Sequence, residues 1–487
     1  MKKTFIFGFI FCSFIALWAN HISAQEYKYD LNKYYTPDIV RNSFDLNLNS
    51  SGGFDNRLNN NAPHFNDTTR INNLSGQFNS RFIHFKNTRK TESLLQLNLD
   101  VNGQFSNNKD WGLTNEKTHN SSSAEYIGLN YSEKMYSANK KFFSFGLFSS
   151  LNPSMSSSLN PTSSYPNNEV NSSTTEDTNK RFQAKIRPFI GIGIGRIESV
   201  KDARQAIYIL EDLSKRGVLT RHLSDDEIFK FSQVISQVKN KRFLDYRLHK
   251  IDEISTVDSF LVKNNLLTKS DARYFTTLYD NWENSANFER ISGQSFEAKL
   301  SPDVNWNNRK NESKISNPSS DTWSSKQNDK NYGASLAFNY NYAKQINLNW
   351  EKTAYVSLSG STTREEQRLS YESSQENVSK INVRNITLNG NYRIAYYPST
   401  RTNLSANISQ NFYKNFYDAK SYTGWSDSFN SATSLEFSAV HYVSPQLSLS
   451  GNTYISYNYS NSRNSTDKSN YNHLGAGFSV ALKYSFF

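Results

Sequence analysis

The C-terminal stretch from Tyr471 to Phe487 constrains the fold of this chain more than any other. The positions between its apolar residues hold small or polar residues such as Gly475, Gly477 and Ser479. A period of two over this length predicts a β-strand with one apolar face and one wet face. A strand of this kind fits a membrane barrel or the edge of a soluble sandwich. The apolar positions are Leu474, Ala476, Phe478, Val480, Leu482, Tyr484 and Phe486.

The N-terminus predicts export. Lys2 and Lys3 precede an apolar run from Phe5 to Trp18, and small residues lead to Gln25 as the first mature residue. A basic start, a short apolar core and a small-residue exit describe a secretory signal peptide. The only cysteine, Cys12, lies inside the apolar run. The mature chain is therefore expected to have no disulfide and no cysteine-based zinc site.

Composition favours a barrel over a soluble exported protein. No later stretch approaches the roughly 18 apolar residues that a membrane helix needs. The chain holds 29 Tyr and 33 Phe and is rich in Asn and Ser. Aromatic residues supply the interfacial girdles of a membrane barrel, and Asn and Ser suit a wet lumen. The formal net charge of +11 indicates anionic lipid, anionic glycan or an anion-preferring pore, because an exported chain rarely meets nucleic acid.

Alternating runs recur along the chain, and the connections between them alternate in length. Short turns are expected at Tyr397–Arg401 and Val443–Leu447, and long polar loops at Ser51–Asn73, Ser150–Asn179 and Ser460–Asn470. Transmembrane barrels combine short periplasmic turns with long outer loops. The pattern predicts an all-β transmembrane antiparallel β-barrel of about 14 strands.

One interval has helical periodicity instead. Ser199 is expected to cap a first helix, Ser224 with Glu227 forms a capping-box pattern, and Thr268 with Asp271 starts a fourth helix. Each helix carries one apolar stripe, so the interval predicts a small bundle with its own core. Counting the connections back from the C-terminus places the bundle between the sixth and seventh strands, on the periplasmic side.

The whole chain resembles outer-membrane β-barrel proteins of Gram-negative bacteria in its signal sequence, its strands and its aromatic C-terminus. Its apolar register runs through Phe486, one residue from the usual position. The stretch Arg196 to Leu213 is similar to uncharacterised members of this class. The resemblance implies location in the bacterial outer membrane, with the helical insertion in the periplasm. It also implies outer-membrane lipid, lipopolysaccharide and the barrel assembly machinery as partners, and no nucleic acid.

The predicted organisation has five segments. They are residues 1–24 as signal peptide, 25–41 as a periplasmic N-terminal tether, 42–195 as strands one to six, 196–290 as the periplasmic helical bundle, and 291–487 as strands seven to fourteen.

The two strands that flank the bundle share a local pattern, Phe182 to Pro188 and Phe296 to Pro302. Proline removes a ladder donor, so both strands are expected to be distorted where the bundle emerges. Chance similarity between two alternating strands explains the pattern equally well. The run Gly191 to Gly195 lacks a Walker lysine, and we interpret it as a strand bend rather than a phosphate loop.

The sequence predicts no catalytic residue, no cofactor and no metal site. No two mature histidines have ligand spacing on a helix or strand. His441, with Ser444 nearby, is the nearest candidate for a barrel hydrolase, which would need Ser or Asp beside His. In the alternating pattern of its strand, His441 occupies a position of the apolar face and is expected to face lipid. Histidine at such a position usually serves as an amphipathic side chain and not as a catalytic one.

Charges on the predicted lumen face point to a pore. The candidate pore-lining residues are Arg181, Lys185, Arg187, Lys299 and Arg393, countered by Glu297 and Asp303. Cations in a narrow wet lumen raise the local concentration of anions. A salt-bridged lumen that is packed shut accounts for the same residues.

Three functions follow from these patterns. The first is a non-enzymatic channel or transport component that prefers anions when it conducts, with the bundle as a periplasmic gate or docking module. The second is a non-conducting scaffold that anchors the bundle near a periplasmic protein or a cell-wall partner. The third is a barrel hydrolase.

Overall fold

The computed structural model describes residues 29–484 except 63–64, 112–115, 165–170, 241–249, 285–287, 317–319, 372–375, 420–423, 445 and 465–466. The predicted signal peptide therefore lies outside the described residues. The strands are β1 Ile39–Ala62, β2 Phe65–Asn87, β3 Thr91–Trp111, β4 Glu116–Tyr136, β5 Lys141–Ser164, β6 Asn171–Ser199, β7 Ile291–Ser316, β8 Ser320–Gln345, β9 Trp350–Tyr371, β10 Asn377–Ser399, β11 Thr402–Ala419, β12 Gly424–Tyr442, β13 Leu447–Asn464 and β14 Lys468–Tyr484. The helices are α1 Lys201–Lys215, α2 Asp225–Asn240, α3 Lys250–Lys263 and α4 Ala272–Asn284.

The strands form one up-and-down sheet. Each strand pairs antiparallel with its neighbours in sequence, and the sheet order is β1 to β14 without a crossover. The predicted fold class is thus confirmed: the described residues form an antiparallel sheet of 14 strands, with four helices inserted after the sixth strand. Among the described residues no pairing joins β14 to β1, so closure of the barrel between these edges stays a prediction.

The sheet has a polar face and an apolar face throughout. The polar face carries Lys185, Lys299 and Ser357, and the apolar face carries Ile192 and Val480. Ile192 is 65% exposed and Val480 71%, whereas Ser357 is only 7% exposed. Soluble proteins bury such apolar side chains and expose the polar ones. The reversed exposure shows that the polar face is the concave one and the apolar face the convex one.

The long connections differ from the loops expected from sequence, because most of their residues continue the strands. β1 and β2 stay paired as far as Ala62 and Phe65. On β6, exposed apolar side chains extend only from Phe182 to Ile194, which is close to the roughly 9–11 residues of a transmembrane strand. Beyond this apolar band, hairpin pairing satisfies the backbone donors and acceptors of the serine- and asparagine-rich segments.

The pairing of β6 with β7 is interrupted at two prolines. The register places Pro188 opposite Pro302, and β6 has no ladder partner on β7 between Ile186 and Ile190. Neither proline can donate an N–H group to the ladder, which explains the gap. The distortion therefore lies inside the strand pair and not at Ser199, where the bundle emerges.

Glycines shape the end of the same strand pair. Gly195 on β6 has φ +94° and Gly293 on β7 has φ +121°, a backbone region that side chains with a Cβ rarely adopt. A Cβ on Gly193 would lie 2.2 Å from the ring of Phe142. This geometry agrees with the expectation that the glycine run is a bend and not a phosphate loop.

The four helices pack around their own core, whose buried members include Leu213, Phe231, Ile235, Val257 and Leu278. No helix in the described part of the chain is long and apolar enough to cross a membrane.

The helix caps follow the sequence in part. Ser224 and Glu227 form the predicted capping box, with the Ser224 N–H donating to the Glu227 carboxylate at 2.9 Å. Asp271, rather than Thr268, caps α4 by accepting from the Tyr274 N–H at 3.0 Å. The cap of α1 was predicted wrongly, since the capping residue is Val200.

The bundle is an internal repeat of two helix–loop–helix units that sequence inspection missed. The first helix of one unit ends in the segment Lys215-Arg216-Gly217-Val218-Leu219-Thr220. The first helix of the other unit ends in the similar segment Lys263-Asn264-Asn265-Leu266-Leu267-Thr268. Gly217 and Asn265 occupy equivalent positions with φ +68° and +55°. The two loops pair reciprocally: the Thr220 N–H donates to the Leu266 carbonyl at 2.9 Å, and the Thr268 N–H to the Val218 carbonyl at 2.8 Å.

Candidate functional site: the polar face and its junction with the bundle

The polar face holds water-accessible space that is lined mainly by hydroxyl and amide groups, together with the acidic residues Asp177, Glu312 and Glu125. One cavity of about 610 Å³ lies toward the long hairpins, and a second of about 220 Å³ lies nearer the middle of the strands. The register joins residues of the first cavity into one row across β3 to β7: Gln104, Ser122, Ser156, Asn179 and Asn311. Neutral hydrogen-bonding groups of this kind suit a wet lumen.

All five predicted pore-lining residues lie on this face. Arg181 lines the second cavity, and its Nε donates to Asn307 Oδ1 at 2.7 Å. Arg393 lies near the short turns, where its Nη1 is 3.5 Å from Glu351 Oε1. The structure therefore does not gather the five cations into one ring.

Lys185, Arg187 and Lys299 lie on the adjacent strands β6 and β7. Lys299 Nζ lies 3.6 Å from Glu297 Oε2 and 4.2 Å from the centre of the Phe189 ring. Within the described residues, the side chains of Lys185 and Arg187 form no ion pair. This part of the polar face therefore carries cations that the neighbouring carboxylates only partly neutralise.

A buried charge cluster joins the bundle to the polar face at the short-turn end. Arg290, directly before β7, is fully buried, and its Nε lies 3.0 Å from Glu351 Oε2 on β9. The Arg290 guanidinium also donates to Gln345 Oε1 at 2.8 Å and to the Leu348 carbonyl at 2.8 Å. Burial and, after it, the nearby Arg204 lower the pKa of Arg290 to about 10, although Glu351 opposes the shift. Arg290 therefore remains charged at neutral pH.

Arg204 of α1 adds a second buried cation to this junction. Its guanidinium carbon lies 4.7 Å from the centre of the Tyr397 ring on β10, and Arg290 stacks on the same ring at 4.3 Å. Arg204 is 1% exposed, and its Nε and Nη1 have no hydrogen-bond partner among the described residues. Arg290 and Arg393 thus share the carboxylate of Glu351, while Arg204 lies beside them on the ring of Tyr397. We call Arg204, Arg290, Arg393, Glu351 and Tyr397 the junction cluster.

The N-terminal segment of the described chain packs between the bundle and the sheet. Tyr29, Leu31 and Tyr34 are buried against Val200 and Ala203 of the first helix region. The Tyr34 hydroxyl lies 2.9 Å from Ser236 Oγ on α2, and burial raises the pKa of Tyr34 well above its usual value. Residues 29–38 are packed rather than loosely tethered.

Contacts at distant turns show that the sheet curves around the bundle. Tyr35 packs on Phe229 of α2 and under Arg89 of the β2–β3 turn, while Asp280 of α4 pairs with Arg401 of the β10–β11 turn at 2.7 Å. In a flat sheet these turns would be about 38 Å apart, at about 4.8 Å per strand. Arg89 of the β2–β3 turn also lies 3.4 Å from Glu198 at the end of β6, which a flat sheet would place about 17 Å away. The short-turn end of the sheet therefore wraps the bundle.

Sequence reasoning found the polar-face cations but missed the junction cluster. Arg204 lies in an amphipathic helix beside its apolar stripe, and Arg290 lies between two elements, so no periodic pattern includes either residue. The sequence offered one indication of this cluster, which is the position of Glu351 in the alternating pattern of β9. That position places a carboxylate on the polar face beside a short turn.

The described residues contain no group of three or more His, Asp or Glu side chains arranged to hold a metal ion. His441 Nδ1 lies 2.9 Å from Thr402 Oγ1. Ser444 Oγ accepts from the backbone N–H of Leu447 at 3.0 Å, inside its own turn. The structure thus assigns turn and strand contacts to the residues that suggested a hydrolase.

No family model matches the chain, and no curated protein matches it. Solved structures that are similar to it include the beta domain of the Bordetella autotransporter BrkA (10% identity, 76% of this chain and 92% of that chain covered, TM-score 0.24). Others are the monoaromatic hydrocarbon channel CymD (8% identity, 92% and 89% covered, TM-score 0.29) and the P. putida toluene transporter TodX (8%, 92% and 90%, TM-score 0.28). Likenesses this distant assign no function to the chain.

Proposed function

We propose that the chain is a channel or transport component of the bacterial outer membrane, with the helical bundle as a periplasmic gate. The concave polar face carries this proposal, because it holds cavities of about 610 and 220 Å³ while the opposite face exposes apolar side chains. A convex apolar surface of this kind is stable in lipid. Closure between β14 and β1 would satisfy the backbone groups of both edges, as a membrane requires.

The position of the bundle supports the gate. It lies at the end of the short turns, which is the periplasmic end in barrels of this type. Arg204 and Arg290 hold it against Tyr397 and Glu351, which belong to the polar face itself. The docked bundle therefore covers one end of the polar face, and conduction requires the junction cluster to separate.

The charges of the polar face support a preference for anions. Lys299 pairs with Glu297 at 3.6 Å, whereas Lys185 and Arg187 form no ion pair with a described residue. Salt screens exposed charges over about 8–10 Å, so the preference should be strongest at low ionic strength.

Planar-bilayer recordings test the proposal. We expect the intact protein to be mostly closed, and a version with residues 198–289 replaced by a short linker to conduct with anion preference. Arg187→Glu with Lys299→Glu in the shortened version should abolish the preference. Lys344→Glu with Lys352→Glu, which changes the same charge on the apolar face, should retain it.

The second candidate is a non-conducting scaffold, and the tight attachment of the bundle through buried Arg290 is the observation that favours it. Correctly assembled barrels that stay silent with and without the bundle would establish the scaffold and refute the channel.

A further inference from the structure

The larger cavity of the polar face lies inside a curved wall of six strands, β3 to β8. Gln104 on β3 and Trp323 on β8 both line it, although five strand spacings of a flat sheet would separate these strands by about 24 Å. The sheet therefore curves around this space. The volume of about 610 Å³ falls within the roughly 300–1,000 Å³ that is typical of ligand-binding pockets.

The lining of this cavity is polar and nearly uncharged. Its described residues include no lysine or arginine, and its acidic members are Asp177 and Glu312. Glu312 is paired with Lys310. Arg181, a predicted pore-lining cation, lines the second cavity instead. Because sites for anions use charged donors such as arginine, the composition of the larger cavity does not fit an anionic ligand.

Amide and hydroxyl groups supply both donors and acceptors to the cavity. Asn120, Asn179 and Asn311 each carry an amide that can donate and accept, and the serine hydroxyls on β4 and β5 can do the same. An anion uses donors alone, and a cation uses acceptors alone. A ligand that matches this lining therefore carries groups that both donate and accept, as hydroxyl groups do.

One aromatic side chain interrupts the polar lining. Trp323 lies opposite Ser313 in a β7–β8 register that has no shift, so it shares the polar face with Lys299. Trp323 is 49% exposed, and its ring lies 5.8 Å from the ring of Tyr371 on β9. The indole therefore presents a flat apolar surface to the wet side of the sheet.

Membrane placement does not account for this indole. Trp306 and Trp350 lie on the apolar face, where aromatic side chains suit the interface between lipid and water. Trp323 has the opposite orientation and gains nothing from lipid. A ligand with an apolar face would remove the indole surface from water, which is favourable.

We propose that the larger cavity binds a neutral saccharide. The hydroxyl groups at the edge of a sugar ring donate and accept, as the lining requires, and the C–H groups on the face of the ring stack on the Trp323 indole. The inference rests on the channel proposed above, for which it names the class of solute. In that channel the long-hairpin end faces outward, so the solute meets this cavity first.

The test measures saccharide binding directly. Full-length protein in detergent micelles is applied to a microarray of neutral and acidic oligosaccharides, and isothermal titration calorimetry then gives the affinity for the strongest neutral ligand. Trp323→Ala should lower this affinity by about tenfold. Asn179→Ala with Asn311→Ala should lower it by roughly 10- to 100-fold. Trp323→Phe keeps an aromatic ring and should lose less affinity than Trp323→Ala, which keeps the test valid if the alanine variant fails to fold.

Two matched controls remove the same residue types elsewhere on the sheet. Trp306→Ala removes a tryptophan of similar exposure, 43%, from the apolar face. Asn391→Ala with Asn407→Ala removes an amide pair of the polar face, bonded at 2.7 Å on β10 and β11, outside the cavity. Both controls should bind the saccharide as the native protein does.

Absence of neutral-saccharide binding would overturn the proposal, as would equal affinity in the native protein and the cavity variants. Stronger binding of acidic saccharides that is lost with Arg181→Gln would also overturn it, because recognition would then lie with the deeper cations. Conduction without saccharide binding would refute this inference alone. Saccharide binding by a protein that never conducts would refute the channel and leave the saccharide site.

Discussion

Replacing Arg290 with methionine should release the bundle from the sheet. Arg290 is fully buried and lies 3.0 Å from Glu351, which is 2% exposed. Removing one partner of a buried ion pair costs about 3–5 kcal/mol, because the other charge is left without compensation. Arg393, at 3.5 Å, still faces Glu351, so the cost should fall at the low end. The ratio of undocked to docked protein should therefore rise by roughly 100-fold.

Thiol labelling of single-cysteine reporters measures this ratio. The only native cysteine is Cys12, inside the predicted signal peptide. Ala203→Cys reports undocking, because Ala203 of α1 is buried against the N-terminal segment and Leu348. Ala206→Cys reports unfolding of the bundle, because Ala206 belongs to the inner core of the bundle. With Arg290→Met, labelling at position 203 should accelerate by about 100-fold and labelling at position 206 should change little.

A matched substitution separates the buried pair from a surface pair at the same junction. Lys201 lies 3.8 Å from Glu289, and their side chains are 31% and 61% exposed. Lys201→Met should accelerate labelling at position 203 less than about fivefold, since exposed pairs contribute at most about 1 kcal/mol. An unchanged rate with Arg290→Met would refute the role of the junction cluster. Equal acceleration at both reporters would show that Arg290 stabilises the bundle itself and not its docking.

The remaining predictions concern the faces, the capping box and the topology. Val480→Arg should impair outer-membrane assembly far more than Ser479→Arg, since arginine on the lipid face costs about 2–4 kcal/mol; equal amounts of both in outer-membrane fractions would contradict the assigned faces. Hydrogen bonds from Arg221 hold the pKa of Glu227 at about 2, below its ordinary 4.5, so the cap contributes fully above pH 4.5 and is lost as pH falls toward 2. Carboxyl chemical shifts should show that midpoint, and Arg221→Gln should raise it; a midpoint near 4.5 in the native protein would refute the cap geometry. A cysteine at exposed Lys215 should react with an impermeant reagent only after the outer membrane is permeabilised, and labelling of intact cells would refute the periplasmic bundle.

The sheet could be predicted from sequence because its information is local. Period-two alternation, as at Leu474 to Tyr484, specifies which side chains share a face, and all 14 strands carry some version of it. The capping box at Ser224 and Glu227 was readable for the same reason, since both partners lie within one turn. The long hairpins were not readable as strands, because serine- and asparagine-rich segments pair through backbone groups that carry no sequence signal.

Local patterns predicted the fold class, the insertion point of the bundle and the face on which Arg181, Lys185, Arg187, Lys299 and Arg393 lie. Alternation along a strand predicts the face on which a residue lies, but not its distance from the short turns or its contacts. Only the tertiary structure separated Arg393 from the other cations and paired it with Glu351. Only the curvature of the sheet brought Arg204 and Arg290 onto Tyr397, because burial of those charges depends on elements that are distant in sequence and meet when the sheet wraps the bundle.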